Sequence, residues 1–173
     1  MMYKRIFQLL ILTTFFQLSA EKLFCQSIQV AVVVSPPYPV NLEEALKLNR
    51  QAIITLTNLS NEPQQFKLLA SVEGDNGLSA RIKPDFVPTA PIILLARETR
   101  VLNGSQLKNI NSNLSENDVD VQGISINRII QTETLPEGNY EICIRAYSYL
   151  GTTPLSNEST GCTNIFLTHY DPR

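Results

Sequence analysis

The chain holds no tryptophan and only one histidine, His169, in 173 residues. A lone histidine close to a terminus is an unpromising catalyst, because an imidazole base needs partners that orient it. G-x-S-x-G, H-E-x-x-H, a Walker loop and C-x-x-C are all missing, which removes the common signatures of hydrolysis, zinc chemistry, phosphate binding and dithiol exchange. A triad assembled from distant positions stays open in principle, since triads are set by geometry rather than by order. It would need a polar pocket around His169. Basic clusters are missing too, so nothing here displaces counterions from a nucleic acid. The one long apolar run, Ile6 to Leu18, spans 13 positions, whereas a helix needs about 20 residues to cross a bilayer.

That run makes sense as part of a leader. Lys4 and Arg5 precede it and Ser19-Ala20 follow it, which is the order of regions in a secretory signal. We read residues 1–25 as a signal peptide, with the first mature residue between Glu21 and Gln26. Leu18-Ser19-Ala20 and Cys25-Gln26 both offer cleavage points. Leu23-Phe24 are bulkier than the residues that precede a lipidated cysteine, so ordinary secretion is the expectation and a lipid anchor on Cys25 the alternative. Taking 25 residues from 173 leaves 148, the size of one domain. The leader carries three of the 14 Lys and Arg and one of the 16 Asp and Glu, so the mature chain is near −4. Export permits disulfides, and losing Cys25 leaves an even pair, Cys143 and Cys162. Four N-x-S/T triplets, at Asn58, Asn103, Asn113 and Asn157, would be glycosylation acceptors in a eukaryotic secreted protein; they also arise by chance in a Ser- and Asn-rich chain.

Residues 26–173 read in periods of two. Ile28, Val30, Val32 and Val34 alternate until prolines 36, 37 and 39 end the run. Asn41 and Glu44 resemble a capping box, predicting a short helix to about Asn49. Alternation resumes over 52–57, 66–73, 78–83, 92–95 and 98–102, with turn-rich connectors at 58–63 and 74–77. A helical turn is expected to begin at Ser105. Val119 and Val121 form another short strand, and the parity shift to Ile124 and Ile126 after Gly123 suggests a bulge. Many short strands without a long helical pattern predict an all-β immunoglobulin- or fibronectin type III-like sandwich with one or two short helices. The acidic stretch 116–120 lacks the glycine and terminal glutamate of a calcium loop, so a solvated loop is expected, and neither metal nor cofactor.

The most informative stretch is Leu135-Pro136-Glu137-Gly138-Asn139-Tyr140. Pro136 and Gly138 make a turn, and Tyr140 opens a strand whose inward positions are Tyr140, Ile142, Ile144 and Ala146. This is the setting of a tyrosine corner, in which the ring packs inside and the hydroxyl bonds upstream backbone. Cys143 then faces outward. An antiparallel hairpin that pairs Cys143 with Cys162 sets Tyr149 opposite Ser156 and leaves Gly151, Thr152, Thr153, Pro154 and Leu155 in its loop. That loop is the candidate binding surface.

Together with Ser35-Pro36-Pro37-Tyr38, Ile53-Thr55-Leu56-Thr57-Asn58, Gly74-Asp75-Asn76-Gly77, Leu102-Asn103-Gly104, Pro154-Leu155-Ser156, Gly161-Cys162 and Asp171-Pro172, this stretch resembles a TANFOR domain. Such domains occur in envelope proteins of Gram-negative bacteria that glide or use type 9 secretion. The resemblance implies an immunoglobulin-like sandwich acting as a non-catalytic binding or assembly module, with another envelope or secreted protein as partner. A carbohydrate-binding or adhesive sandwich is the alternative; it would need an aromatic platform, for which Tyr147, Tyr149 and Tyr170 are the clustered candidates.

Overall fold

A computed structural model of the chain describes residues 28–36, 38, 52–123 and 134–168. The leader, the short helix expected over 41–49, the bulge expected after Gly123, and His169 and Tyr170 lie outside the described residues.

Alternation becomes architecture at once. Strand β1 (Ile28–Val34) buries every second residue and exposes the ones between, as a half-buried strand must. It pairs antiparallel with β2 (Ala52–Asn58), setting Val32 beside Ile54 and Val30 beside Leu56. On the other side of β2 lies β6 (Thr99–Asn103), whose Leu102 faces Ile54. The second sheet is built on two long strands, β3 (Gln64–Gly74) and β8 (Gly138–Ser148), paired from Phe66 opposite Ser148 to Gly74 opposite Tyr140. β9 (Thr160–Leu167) extends β8. β4 (Ser79–Ile82) and β7 (Val119–Gln122) extend one end of β3, and β5 (Ile92–Leu94) pairs with its other end.

The two sheets, β1-β2-β6 and β7-β4-β3-β8-β9, face each other. Their inner positions form one core that includes Ile28, Leu56, Phe66, Leu68, Tyr140 and Ala146. β1, β2 and β6 thus form one sheet, while β3, β8 and β9 form the body of the other, with β4, β5 and β7 added to it; two antiparallel sheets packed face to face on one core are the immunoglobulin-like architecture. The chain is an all-β sandwich of that type. At one place the sheets nearly touch: a Cβ on Gly161 of β9 would come within 2.6 Å of the Val30 carbonyl of β1. Any larger residue there would push the sheet edges apart.

One α-helix lies among the described residues. α1 (Gly104–Ile110) runs two turns rather than the one expected from Ser105. The Asn103 carboxamide accepts from the Gln106 amide N–H at 2.9 Å, and the Gln106 side chain accepts from Asn103 N–H at 2.9 Å. This capping box begins the helix one residue earlier than the sequence pattern indicated.

A larger departure concerns β3. Lys67 and Leu69 alternate with the core residues, at positions that face outward in a half-buried strand, but both are buried. The connector after β4 folds over Lys67. Lys67 Nζ donates to the carbonyls of Pro84 and Phe86, both at 2.7 Å, and Phe86 is itself buried. Burial pushes the Lys67 ammonium below its ordinary range, with the charge of Asp85 opposing the shift.

Candidate functional site

Two of the sequence segments singled out for the family resemblance meet at one end of the long sheet. The turn Gly74–Gly77 joins β3 to β4, and Pro136–Tyr140 leads into β8. Asp75 N–H donates to Asn139 O at 3.0 Å, and Asn139 Nδ2 donates to the Asp75 carboxylate at 2.9 Å. Those bonds hold the Asp75 carboxyl below its usual range, the Asn139 side chain being the largest cause. Gly138 has φ +149° and a Cβ there would collide with the Asp75 carboxylate, so glycine is required for the two segments to close.

Tyr140 is the centre of this corner. Its ring is buried beneath Gly74, and its hydroxyl donates to Pro136 O at 2.7 Å, four residues upstream. Asn76 Nδ2 donates to the same hydroxyl oxygen at 2.6 Å and reaches Glu137 O at 3.3 Å. Burial raises the phenol above its usual range, and the Asn76 bond opposes that rise. Leu135 packs against the core beside it. The geometry fixes the path of the chain into β8.

At the opposite end of β8, the hairpin to β9 carries the candidate loop. Cys143 and Cys162 stand directly opposite each other and form a disulfide, with Cα atoms 4.1 Å apart. The bridge lies on the outer face, opposite in parity to Tyr140 and Ile144. In antibody domains the bridge joins the two sheets through the core; here it ties neighbouring strands of one sheet. By loop-closure entropy a bridge over a separation of 19 residues contributes about 3 kcal/mol.

Beyond the disulfide the register departs from the simple hairpin. Arg145 pairs with Thr160, but Tyr147 pairs with Pro154. Four residues, 156–159, are therefore looped out of β9, and Tyr149 does not stand opposite Ser156. The cause is a 3₁₀ turn at Asn157–Ser159. Buried Ser159 holds it: its Oγ accepts from Ser156 N–H at 3.2 Å and lies within bonding distance of the Ser156 and Ala146 carbonyls. Pro154 and Leu155 thereby join the ladder, with Leu155 N–H donating to Ala146 O at 3.1 Å.

The loop itself closes through Gly151 N–H to Ser148 O at 3.1 Å and Ser148 N–H to Thr153 O at 3.4 Å. Thr152, Thr153 and Pro154 are exposed, while Gly151 and Leu155 are half-buried and Leu155 packs against the core. Leu150, which sequence reasoning passed over, sits at the tip and is 78% exposed. Its neighbour Tyr149 is tied down, its hydroxyl donating to Pro88 O at 3.0 Å. Tyr147 and Tyr149 are both half-buried and do not form an exposed platform.

Other candidate ligands are committed within the fold. Asp118 accepts from Ser115 N–H and Oγ, and Asp120 pairs with Arg81 and Lys83. Among the described residues, the cluster Glu141, Cys143 and Cys162 has metal-like spacing, but both sulfurs are already bonded to each other. Asn58 cannot accept a glycan in this fold: it is fully buried, with Nδ2 donating to Glu62 O and Leu95 O and Oδ1 accepting from Ser60. No helix among the described residues is long and apolar enough to cross a membrane.

The two packed sheets make the sandwich, and the corner and the disulfide-tied hairpin stand at opposite ends of β8. Neither the scan against protein-family models nor the search of curated proteins finds a match for this chain.

Proposed function

We propose that this protein is an exported, non-catalytic binding module of a bacterial cell envelope, of TANFOR type, linked to type 9 secretion or gliding. The observation that carries the reading is the β8–β9 tip. A large apolar side chain, Leu150, stands exposed on a loop held by turn bonds, by Tyr149 and by the disulfide further down the ladder. Such a loop loses little freedom on binding, and preorganisation is what turns contact area into affinity. Loops at the ends of a sandwich are its usual recognition surfaces. The partner is another envelope or secreted protein with an apolar pocket for Leu150, since taking an exposed leucine side chain out of water is favourable.

The test is site-specific photocrosslinking in the source bacterium, with the probe at Thr152 and a control probe at the exposed Ala90. Thr152 should capture one envelope protein that Ala90 does not, and Leu150→Asp should abolish the adduct while leaving thermal unfolding unchanged. Equal labelling from both positions would remove the tip from consideration. His169→Ala should leave the phenotype intact. Loss of function there, with folding preserved, would favour a hydrolase instead.

A further inference from the structure

The outer face of the long sheet carries a basin of about 350 Å³ lined by β3, β4, β8 and β9. Strand register sets its floor in rows. One row runs Asp120, Arg81, Ser71, Cys143, Cys162 from β7 to β9. The next row on one side places Arg145 beside Thr160, and the next on the other side places Glu73, Glu141 and Asn164 in line. The disulfide therefore forms one wall of an open basin rather than a plug in the core. Cys162 is exposed and Cys143 half-buried.

We propose that this disulfide is a native-state site of thiol–disulfide exchange, with Cys162 as the sulfur attacked and Cys143 as the leaving thiolate. The substrate is a thiol, from a small molecule or from a cysteine of another protein. Its thiolate bonds to Cys162 Sγ, the Cys143–Cys162 bond breaks, and the bonding pair departs on Cys143 Sγ, which then takes a proton from solvent. The product is a mixed disulfide on Cys162. No external oxidant or reductant beyond that thiol is consumed.

Two features assign the direction. Cys162 lies on β9, the edge strand of its sheet among the described residues, so an incoming thiol meets it first, and access governs which sulfur is attacked. The departing Cys143 sulfur is left on the basin floor, with the Ser71 position beside it, a Glu141 carboxylate oxygen within 4.8 Å and Arg145 and Arg81 lining the same basin. Arg145 follows two residues on along the same face of β8 and is steadied by its Nε donating to Thr160 Oγ1 at 2.6 Å. Arg81 borders the same row and is partly neutralised by Asp120. The Glu141 carboxylate, within 4.8 Å of both sulfurs, opposes a thiolate at Cys143, so access carries the assignment and Arg145 is the counterweight to that carboxylate. A neighbouring cation lowers a thiol's pKa, and a lower leaving-group pKa speeds exchange. Exchange need not unfold the protein, because the bridge lies outside the core and Tyr140, Ile144 and Ala146 remain packed on the opposite side.

The experiment treats the native protein with 2-mercaptoethanol for short times, quenches with iodoacetamide and maps peptides by mass. The expected product carries mercaptoethanol on Cys162 and carbamidomethyl on Cys143, at a rate linear in thiol, with the far-UV circular dichroism unchanged. Arg145→Gln should slow the reaction about threefold, because losing the neighbouring cation raises the leaving thiol's pKa and a higher leaving-group pKa slows exchange, and Arg145→Lys should restore most of it. Adducts mainly on Cys143 would overturn the assignment. So would a rate that levels off with thiol and rises in step with the destabilising Tyr140→Phe, since exchange would then pass through unfolding. This inference does not depend on the partner proposed for the hairpin tip, and crosslinking at Thr152 can fail while it stands.

Discussion

The two sheets share one core but present very different backs. Behind the long sheet, the Lys83–Pro88 connector roofs over Lys67, Tyr149 reaches up to Pro88, and the disulfide walls an open basin. Behind the short sheet nothing among the described residues covers Val33, Ile53 and Val101, which are 57%, 45% and 59% exposed. The sequence pattern of the two faces points the other way: a lysine marks the covered back and valines and isoleucine mark the open one. Alternation tells which residues share a face; it does not tell whether a loop distant in sequence will lie across that face. Position in the fold decides burial, and side-chain chemistry then decides what burial costs.

Breaking the roof should have the largest effect. Lys67→Ala removes the donor for two carbonyls, one of them buried, and leaves a gap beneath Phe86. Unpaired buried carbonyls cost about 1–3 kcal/mol each, so a loss of about 3 kcal/mol is expected in urea unfolding. Lys67→Met refills the space without the donors and should recover only part of that. If Lys67→Ala unfolds at the wild-type midpoint, the roof contributes nothing and the two backs are energetically alike.

The corner at the far end of the long sheet comes next. Tyr140→Phe keeps the buried ring but removes the donor to Pro136 O and the acceptor for Asn76. A net hydrogen bond is worth about 1 kcal/mol, and a loss of about that size is expected by thermal unfolding. Asn76→Ala should cost a comparable amount, and the double variant should cost less than the sum, because the two share one bond.

Acid offers a gentler way to tell the sheets apart. Asp75 and Asp118, on the long sheet's connections, are held below the usual carboxylate range by hydrogen bonds from Asn139 and Ser115 respectively. Glu98, just before β6, is held down by the Leu95 amide and by Arg100. A carboxyl with a lowered folded pKa stabilises the fold above its unfolded pKa, near 4, and that stability is lost as pH falls through the lower folded value. The urea midpoint should therefore be flat from pH 7 to about 5 and fall below about 4. Asp75→Asn should flatten the decline. A fall that begins above pH 5 would implicate other groups.

How much of this was legible in the sequence follows from the range of the interactions. Strand positions and inward parity were readable because a half-buried strand writes its burial every second residue, as in β1 and β8. The Cys143–Cys162 bridge was readable because two cysteines of one hairpin have few other choices in an exported chain. The capped start of α1 and the looped-out 156–159 were misjudged by a few residues, since each turns on local bonds from Asn103, Gln106 and Ser159 that compete with a simpler pattern. Lys67 was missed altogether. Its partners, Pro84 and Phe86, lie 17 and 19 residues away in a stretch whose turn residues predict a loop but not its destination. The Leu150 tip was missed for the opposite reason: one exposed leucine in a sequence has no signature, and only the closed turn around it gives it meaning.

The smallest expected effect is on the bare back of the short sheet, and it is the sharpest check on the contrast drawn above. Val33 and Ile53 are direct cross-strand partners, and Val101 sits diagonally from Ile53, opposite Thr55. Their outward atoms remain in contact with water, so replacing them removes little buried apolar surface. Threonine keeps the β-branched shape that suits a strand, and the change puts a hydroxyl where solvent can satisfy it. Val33→Thr with Ile53→Thr should therefore shift the unfolding midpoint by no more than surface substitutions usually do, about 0.5 kcal/mol. The same double change should raise solubility, because it breaks up an exposed apolar patch. A loss above about 2 kcal/mol is of core-substitution size. It would mean that Val33 and Ile53 are covered in solution, by another part of the chain or by a second molecule. A concentration series in analytical ultracentrifugation would then separate those two, since only a second molecule makes the wild-type stability depend on protein concentration.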